Sequence, residues 1–422
     1  MKISIIGTGY VGLCTGVGFA KLGHDVTCID VDEDKIEKIN KGKPPFFEEN
    51  LENELKKVLN KKLKANTDTK LIKNSDVIFI CVGTPSKKDG SIDLQYINEA
   101  AEEISDFAPD KYFVVVVKST VVPKTTESII PILEKNGKKV GKDFGLCMNP
   151  EFLKEGTALH DFLNPDRIVI GEYDKKSGDI LEKLYSKFNV PIIRTNLRTA
   201  EMIKYAANAF LATKISLINE IGNICKKLGI DTYEVAKGIG YDKRISPYFL
   251  SAGCGFGGSC FKKDIFALIN EAEKLGYEPK ILKDTIDLNE EQKTKIVSIL
   301  EEKIKTLKGK KIAVLGLAFK AGTDDIRDAP SIEIIKKLKE KGAKIFVYDP
   351  KAMENMMKIY RDINYCKNIG EALKNADACL ILTDWEEFKK LSNKDFSKMK
   401  KKIIIEGRKV LGKKVKHEGV CW

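Results

Sequence analysis

Short apolar runs separated by segments of helical period dominate the first half of the chain. Residues 1–6, 25–29, 77–82, 112–118 and 145–148 are brief and almost continuously apolar, the pattern of strands covered on both faces of a sheet. From about residue 196 to 300 this strand pattern disappears. Residues 200–228 hold helical periodicity with no proline and one glycine, enough for seven or eight turns at about 3.6 residues each. Strand-like runs then return at 310–315, 344–348, 378–382 and 403–405, with a helical stretch at 331–341. The pattern predicts an α/β chain: two doubly wound parallel sheets joined by a mainly helical segment with one long helix. The boundaries it suggests are 1–195, 196–300 and 301–422.

The first strand runs into Gly7-Thr-Gly9-Tyr10-Val11-Gly12, a helix pattern follows, and the second strand ends at Asp30, 18 residues past Gly12. Strand, turn, helix, strand and acid in that order form a dinucleotide-binding fingerprint. Gly7 permits the tight turn, Gly9 lets backbone approach a pyrophosphate, and Gly12 lets helix pack on strand. A carboxylate at Asp30 accepts ribose hydroxyls and repels a 2′-phosphate, so NAD is expected over NADP. Lys35 is within reach of the adenosine side, although it also suits a solvated helix face. Thr84 and Thr120 follow the third and fourth runs, where strand ends line a ligand crevice or simply begin polar turns. The second sheet lacks the three glycines, so it is expected to take a different ligand, with Lys320 and Arg408 as strand-end cations suited to phosphate or to plain surface charge.

Length and charge bound the rest. A chain of 422 residues can bury more than one core, and no apolar run reaches membrane-spanning length, so a soluble, unprocessed protein is expected. Lysine is mixed with glutamate throughout, and 32% of residues are charged; despite a net charge of +12 this marks an ion-pair-laced surface and not a nucleic-acid interface. Ten cysteines are scattered without a C-x-x-C pair or a Cys/His cluster, which points to a reducing cytoplasm and supports no metal site.

Only three histidines are present, and just His160 lies near a motif. Alcohol oxidation needs a proton acceptor, so Lys, Asp, Glu or a held water must serve. The glycine-rich turn 253–259 delivers Cys260 to the first turn of a helix, with Asp264 four residues on. A helix N-terminus favours thiolate over thiol, so Cys260 is a candidate nucleophile; a buried cysteine behind an ordinary capped helix is the alternative. Asp264 opposes thiolate formation by repulsion and suits the holding of water or a hydroxyl. Glu151 and Glu155 lie four apart at the sheet's ligand end. Lys204 and Asn208 share a face of the long helix, which on its own is also compatible with solvated surface.

Taken together, Gly-Thr-Gly-Tyr-Val-Gly, the run 149–158 (Asn-Pro-Glu-Phe-Leu-Lys-Glu-Gly-Thr-Ala), Lys204-Tyr-Ala-Ala-Asn208, Gly-Phe-Gly-Gly-Ser-Cys260-Phe-x-Lys-Asp264 and Gly-Leu-Ala-Phe-Lys320 resemble the UDP-glucose 6-dehydrogenases of the UDP-glucose/GDP-mannose dehydrogenase family. The resemblance implies oxidation of a sugar C6 alcohol to a carboxylate with two NAD in turn, through a thiohemiacetal and a thioester on Cys260. It assigns Lys204 and Asn208 to oxyanion stabilisation, Asp264 and Thr120 to a water, and Glu151 and Glu155 to an acidic pair, one of which assists hydrolysis. It makes Lys263 and Arg327 cofactor contacts. Phe152, Leu153 and Lys154 then line the substrate, as do Phe249, Leu250, Ser251, Ala252, Gly253, Gly257, Lys320 and Arg408. Arg244 matches an arginine that reaches a neighbouring subunit's substrate, implying a homodimer or larger assembly. The product implied is UDP-glucuronate for polysaccharide synthesis. UDP-N-acetylmannosamine and GDP-mannose dehydrogenases, and single-step hydroxyacid dehydrogenases, are the alternatives. Two positions depart from the pattern. Lys262 stands where proline is frequent, at a variable position expected to matter little, and Cys254 is an extra cysteine expected to be inert.

Overall fold

A computed structural model describes residues 1–422, which divide into two compact units. The first comprises Met1–Ala207 and Phe266–Leu275, the second Asn208–Ile265 and Gly276–Trp422. The chain passes between them three times, within the helix Leu197–Leu228, within the helix Phe261–Lys274, and just past the latter at Leu275 to Gly276.

The first unit is built on strands β1 (Lys2–Ile6), β2 (Asp25–Ile29), β3 (Leu63–Asn66), β4 (Val77–Ile80), β5 (Phe113–Val117), β6 (Phe144–Met148), β7 (Ile168–Glu172) and β8 (Ile192–Asn196). They lie in the order β3-β2-β1-β4-β5-β6-β7-β8. All pairs are parallel except β6 with β7. β4, β5 and β6 are buried at every position, which is why their sequences read as unbroken apolar runs. The strand order reverses between β1 and β4, and in such sheets ligands bind beyond the strand C-termini at that point.

The second unit repeats the plan with β9 (Lys311–Leu315), β10 (Lys344–Tyr348), β11 (Asn364–Tyr365), β12 (Ala378–Ile381), β13 (Ile404–Glu406) and β14 (Glu418–Gly419), ordered β11-β10-β9-β12-β13-β14 and parallel throughout. The likeness extends to the turn after the first strand. A Cβ on Gly7 (φ +93°) would lie 2.8 Å from the Cys81 carbonyl oxygen, and one on Gly316 (φ +96°) would lie 2.6 Å from the Thr383 side chain. Only glycine fits a left-handed turn pressed that closely against the neighbouring strand.

The long helix begins at Leu197, three residues earlier than its periodicity suggests. Asn196, the last residue of β8, is the reason: its side chain accepts the Thr199 N–H at 2.9 Å and caps the helix directly at the strand's end. At the other end Gly229 takes φ +70°, and the Ile230 N–H reaches the Cys225 carbonyl at 2.9 Å, a Schellman closure.

Candidate active site

At the first sheet's switch point, Asp30 is nearly buried and its Oδ2 accepts both the N–H and the hydroxyl of Thr8 at 2.7 Å. Its Oδ1 accepts the Asp32 N–H at 3.1 Å, with the Lys35 ammonium at 3.6 Å. A Cβ on Gly9 would meet nothing within 4 Å, whereas one on Gly12 would lie 1.9 Å from the Gly7 carbonyl. The turn is therefore tight underneath and open above, and no side chain caps the helix Tyr10–Lys21 that starts there. Those features fit a pyrophosphate on the helix N-terminus and a ribose on Asp30. Tyr10 packs against Phe46, ring centroids 3.9 Å apart and planes tilted by 30°, beside the same turn, and Val11 is half-buried. The Thr84 hydroxyl donates to the Thr120 carbonyl at 3.0 Å, joining the loops after β4 and β5.

The second sheet is closed where the first is open. Asp349, at the end of β10, accepts the N–H groups of Leu317, Ala318, Lys351 and Ala352 at 2.7–3.1 Å and the Trp385 indole at 3.0 Å. Five donors saturate this carboxylate, leaving it no free lone pair for a ribose hydroxyl.

In the first unit, Lys204 and Glu151 form an ion pair at 3.0 Å with side chains only 5% and 7% exposed. Separating so buried a pair costs about 3–5 kcal/mol, so each holds the other in place. The Lys204 ammonium also lies 5.6 Å from the centre of the Phe152 ring, whose face carries the Arg167 guanidinium at 3.7 Å. Behind the pair sits a second buried lysine. Lys118, just past β5, donates to Asn149 Oδ1 at 2.9 Å, an oxygen that also accepts the Tyr185 hydroxyl at 2.6 Å. Burial lowers the Lys118 pKa to about 8, with Cys81 and Glu151 pulling it back up and Lys204 pushing it further down. Leu153, Lys154 and Glu155 follow in an irregular segment, Lys154 exposed with its ammonium 3.4 Å from Asp161.

In the second unit, Cys260 immediately precedes the helix Phe261–Lys274 and does not lie within its first turn. Its carbonyl accepts the Asp264 N–H at 2.9 Å, so it occupies the capping position at the helix N-terminus. Of the ten cysteines it alone is exposed. Cys254 is 1% exposed and burial pushes its thiol up to about 12. Asn208 donates to Asp264 Oδ2 at 2.6 Å and Lys263 to Oδ1 at 2.6 Å, so the Asp264 carboxylate is held by two donors.

Buried amides shape the turn before Cys260. Asn219 Oδ1 accepts the Gly253 N–H at 2.7 Å, Asn289 Oδ1 the Phe256 N–H at 2.7 Å, and Gln292 donates to the Gly253 carbonyl at 2.7 Å. The Gly258 N–H reaches the Arg327 carbonyl at 2.8 Å, the Arg408 guanidinium bonds the Gly255 carbonyl, and a Cβ on Gly253 would lie 2.1 Å from the Gly407 carbonyl. Leu250, Ala252, Gly253 and Gly257 are buried, Ser251 is exposed, and Phe249 adopts φ +63°. Arg327 is paired with Asp325 at 2.6 Å, and the Lys320 ammonium lies 5.8 Å from the Phe319 ring centre. Arg244 stands apart from this group, 89% exposed and tied to Asp242 at 2.7 Å.

Three models of one family match in sequence along the chain: the NAD binding domain of the UDP-glucose/GDP-mannose dehydrogenase family over residues 1–189, its central domain over 198–291 and its UDP binding domain over 313–413. The chain belongs to the UDP-glucose/GDP-mannose dehydrogenase family. UDP-glucose 6-dehydrogenase AglM of Haloferax volcanii is 45% identical over 420 residues, covering 97% of each chain, and UDP-glucose 6-dehydrogenase TuaD of Bacillus subtilis is 45% identical over 411 residues, covering 96% of this chain and 89% of its own. The solved UDP-glucose dehydrogenase of Pyrobaculum islandicum superposes with a TM-score of 0.94 at 39% identity, covering 100% of this chain and 98% of its own. Membership of this family of NAD-dependent oxidoreductases accounts for the open first turn and the closed second one. Sequence reading missed Lys118, Asn219, Asn289 and Gln292. An amide on a helix face carries no local mark of which backbone it will bind, whereas a lysine ending a fully apolar strand was a legible sign of burial.

Proposed function

We propose that this chain oxidises UDP-glucose at C6 to UDP-glucuronate through a covalent intermediate on Cys260. The observation that carries the reading is the contrast among the cysteines: nine are buried, while Cys260 alone is exposed, at a helix N-terminus that favours thiolate. When bound, the NAD cofactor supplies hydride acceptance, once for each of two oxidations. Gly7, Gly9, Tyr10, Val11, Gly12, Asp30, Lys35, Thr84, Lys263 and Arg327 are assigned to holding it. Phe249, Leu250, Ser251, Ala252, Gly253, Gly257, Lys320 and Arg408 are assigned to the sugar nucleotide.

As C6 loses its first hydride, its hydroxyl proton passes to a water held by Asp264 and Thr120. The Cys260 sulfur then adds to the aldehyde carbon, and the carbonyl electron pair moves onto oxygen, where the Lys204 ammonium and the Asn208 amide N–H stabilise it. Loss of the second hydride turns this thiohemiacetal into a thioester. Water, assisted by Glu151 or Glu155, adds to the thioester carbon and the C–S bond breaks, releasing carboxylate and returning the thiol.

We further assign homodimerisation to the long helix, where Phe210, Leu217, Ile224 and Leu228 are each more than half exposed. Sevenfold spacing of the first three sets one apolar stripe on a helix face, as two copies packing together require. Arg244, exposed and paired with Asp242, is then available to the second copy's substrate. No helix is long and apolar enough to cross a membrane, and the cytoplasm is the assigned compartment. The test is the number of NADH formed per UDP-glucose consumed, read at 340 nm with substrate limiting. Two supports the reading, and one sinks it.

A further inference from the structure

Lys262, two residues past Cys260, places its ammonium 2.9 Å from Glu290 Oε1 and 3.5 Å from Asp328 Oδ1. Lys293 contacts the same two oxygens at 2.9 and 2.8 Å and is 1% exposed. Two ammonium groups and two carboxylates thus form a closed ring of alternating charge. Burial pulls the Lys262 pKa down, but its bonds to Glu290 and Asp328 more than offset this. Burial likewise pushes Glu290 up, and its two lysine partners bring it below the ordinary carboxylate range. The geometry sets each ammonium between two carboxylate oxygens and each carboxylate oxygen between two ammonium groups.

The ring joins three pieces of the second unit. Lys262 belongs to the Cys260 helix, Glu290 and Lys293 to the helix Lys280–Lys293, and Asp328, at φ +53°, to the segment carrying Lys320 and Arg327. That last segment also grips the turn in front of Cys260. The Gly258 N–H bonds the Arg327 carbonyl at 2.8 Å, and a Cβ on Gly257 would lie 2.6 Å from the Asp328 carbonyl. Cys260 is consequently bracketed on both sides in sequence by contacts to one segment. We infer that Lys262 is a positioning residue, which through Glu290, Lys293 and Asp328 transmits occupancy of the Lys320–Arg327 segment to the orientation of Cys260. Coupling of this kind needs a physical link that both sites bias, and the ring with the Gly258 bond supplies one.

The inference rests on the reading of Cys260 as nucleophile. Lys262 is one-third exposed, so Lys262→Met is expected to fold. Two readouts apply: kcat and KM for UDP-glucose, and the rate of Cys260 alkylation by iodoacetamide with and without UDP, which lacks a sugar to shield the thiol. In wild type, UDP changes the alkylation rate. In Lys262→Met that change is lost, kcat falls about tenfold as expected for a misaligned reacting group, and KM moves by less than about threefold. Lys262→Arg restores both. Glu290→Gln, which opens the ring from the other side, reproduces the Met phenotype and serves if Lys262→Met does not fold. An unchanged kcat, or a UDP effect on alkylation that is absent in wild type or survives in Lys262→Met, overturns the inference. Failure of the underlying reading looks different: Cys260→Ser would still complete both oxidations, whatever Lys262 does.

Discussion

Replacing Lys118 by methionine tests whether the charge behind the Lys204–Glu151 pair is held at a cost to the fold. An exposed lysine in the unfolded chain titrates near 10.4, whereas burial lowers Lys118 to about 8. Between those values the unfolded chain binds the extra proton, so wild-type stability rises with pH through that window and the full penalty applies below about pH 8. A shift of about 2.5 units at about 1.4 kcal/mol each amounts to about 3 kcal/mol. Lys118→Met removes the penalty and forfeits one hydrogen bond to Asn149, worth about 1 kcal/mol, while the Tyr185 hydroxyl still satisfies that oxygen. The variant is expected to exceed wild type in stability at pH 7, and its advantage to shrink by about 3 kcal/mol by pH 10.5. Urea unfolding of both proteins, followed by far-ultraviolet circular dichroism across that range, measures the difference; surface lysines titrate alike in both and cancel. A difference independent of pH refutes the reasoning.

Gly12→Ala places a methyl 1.9 Å from the Gly7 carbonyl and must open the turn, so NAD affinity should fall at least about tenfold in fluorescence titration while UDP affinity is kept. Cys254→Ala is expected to retain activity and Cys260→Ala to lose it, and peptide mapping after brief iodoacetamide treatment should find Cys260 labelled and Cys254 untouched, given their exposures. Leu217→Glu with Ile224→Glu should convert the assembly to monomers in analytical ultracentrifugation, since charges on that stripe cannot be buried against a second copy.

Elements with a full apolar core were the legible ones. β5 and β12 read clearly because a parallel strand buried on both sides leaves little else in its sequence. β8 has no buried position and no regular alternation, and β14 has two residues; neither bears a pattern that distinguishes it from a loop. The chemistry-bearing motifs were local in sequence, so Cys260, Lys204 and Asp30 could be picked out before their surroundings were known. What sequence hid was the company they keep. The Lys204–Glu151 pair spans 53 positions, Asn208–Asp264 spans 56, and the ring through Lys262 draws on residues 290, 293 and 328. Position 262 in particular reads as a variable surface lysine until its partners are seen.

The central claim is that one sulfur carries the sugar between the two oxidations. Acid quenching of enzyme mixed with NAD and UDP-glucose labelled in the hexose, followed by proteolysis, locates any carbon bound to protein. Label on the Cys260 peptide, absent from Cys260→Ser, is the predicted result. Two NADH per sugar with no label on protein at any quench time, or label on another residue, would contradict it.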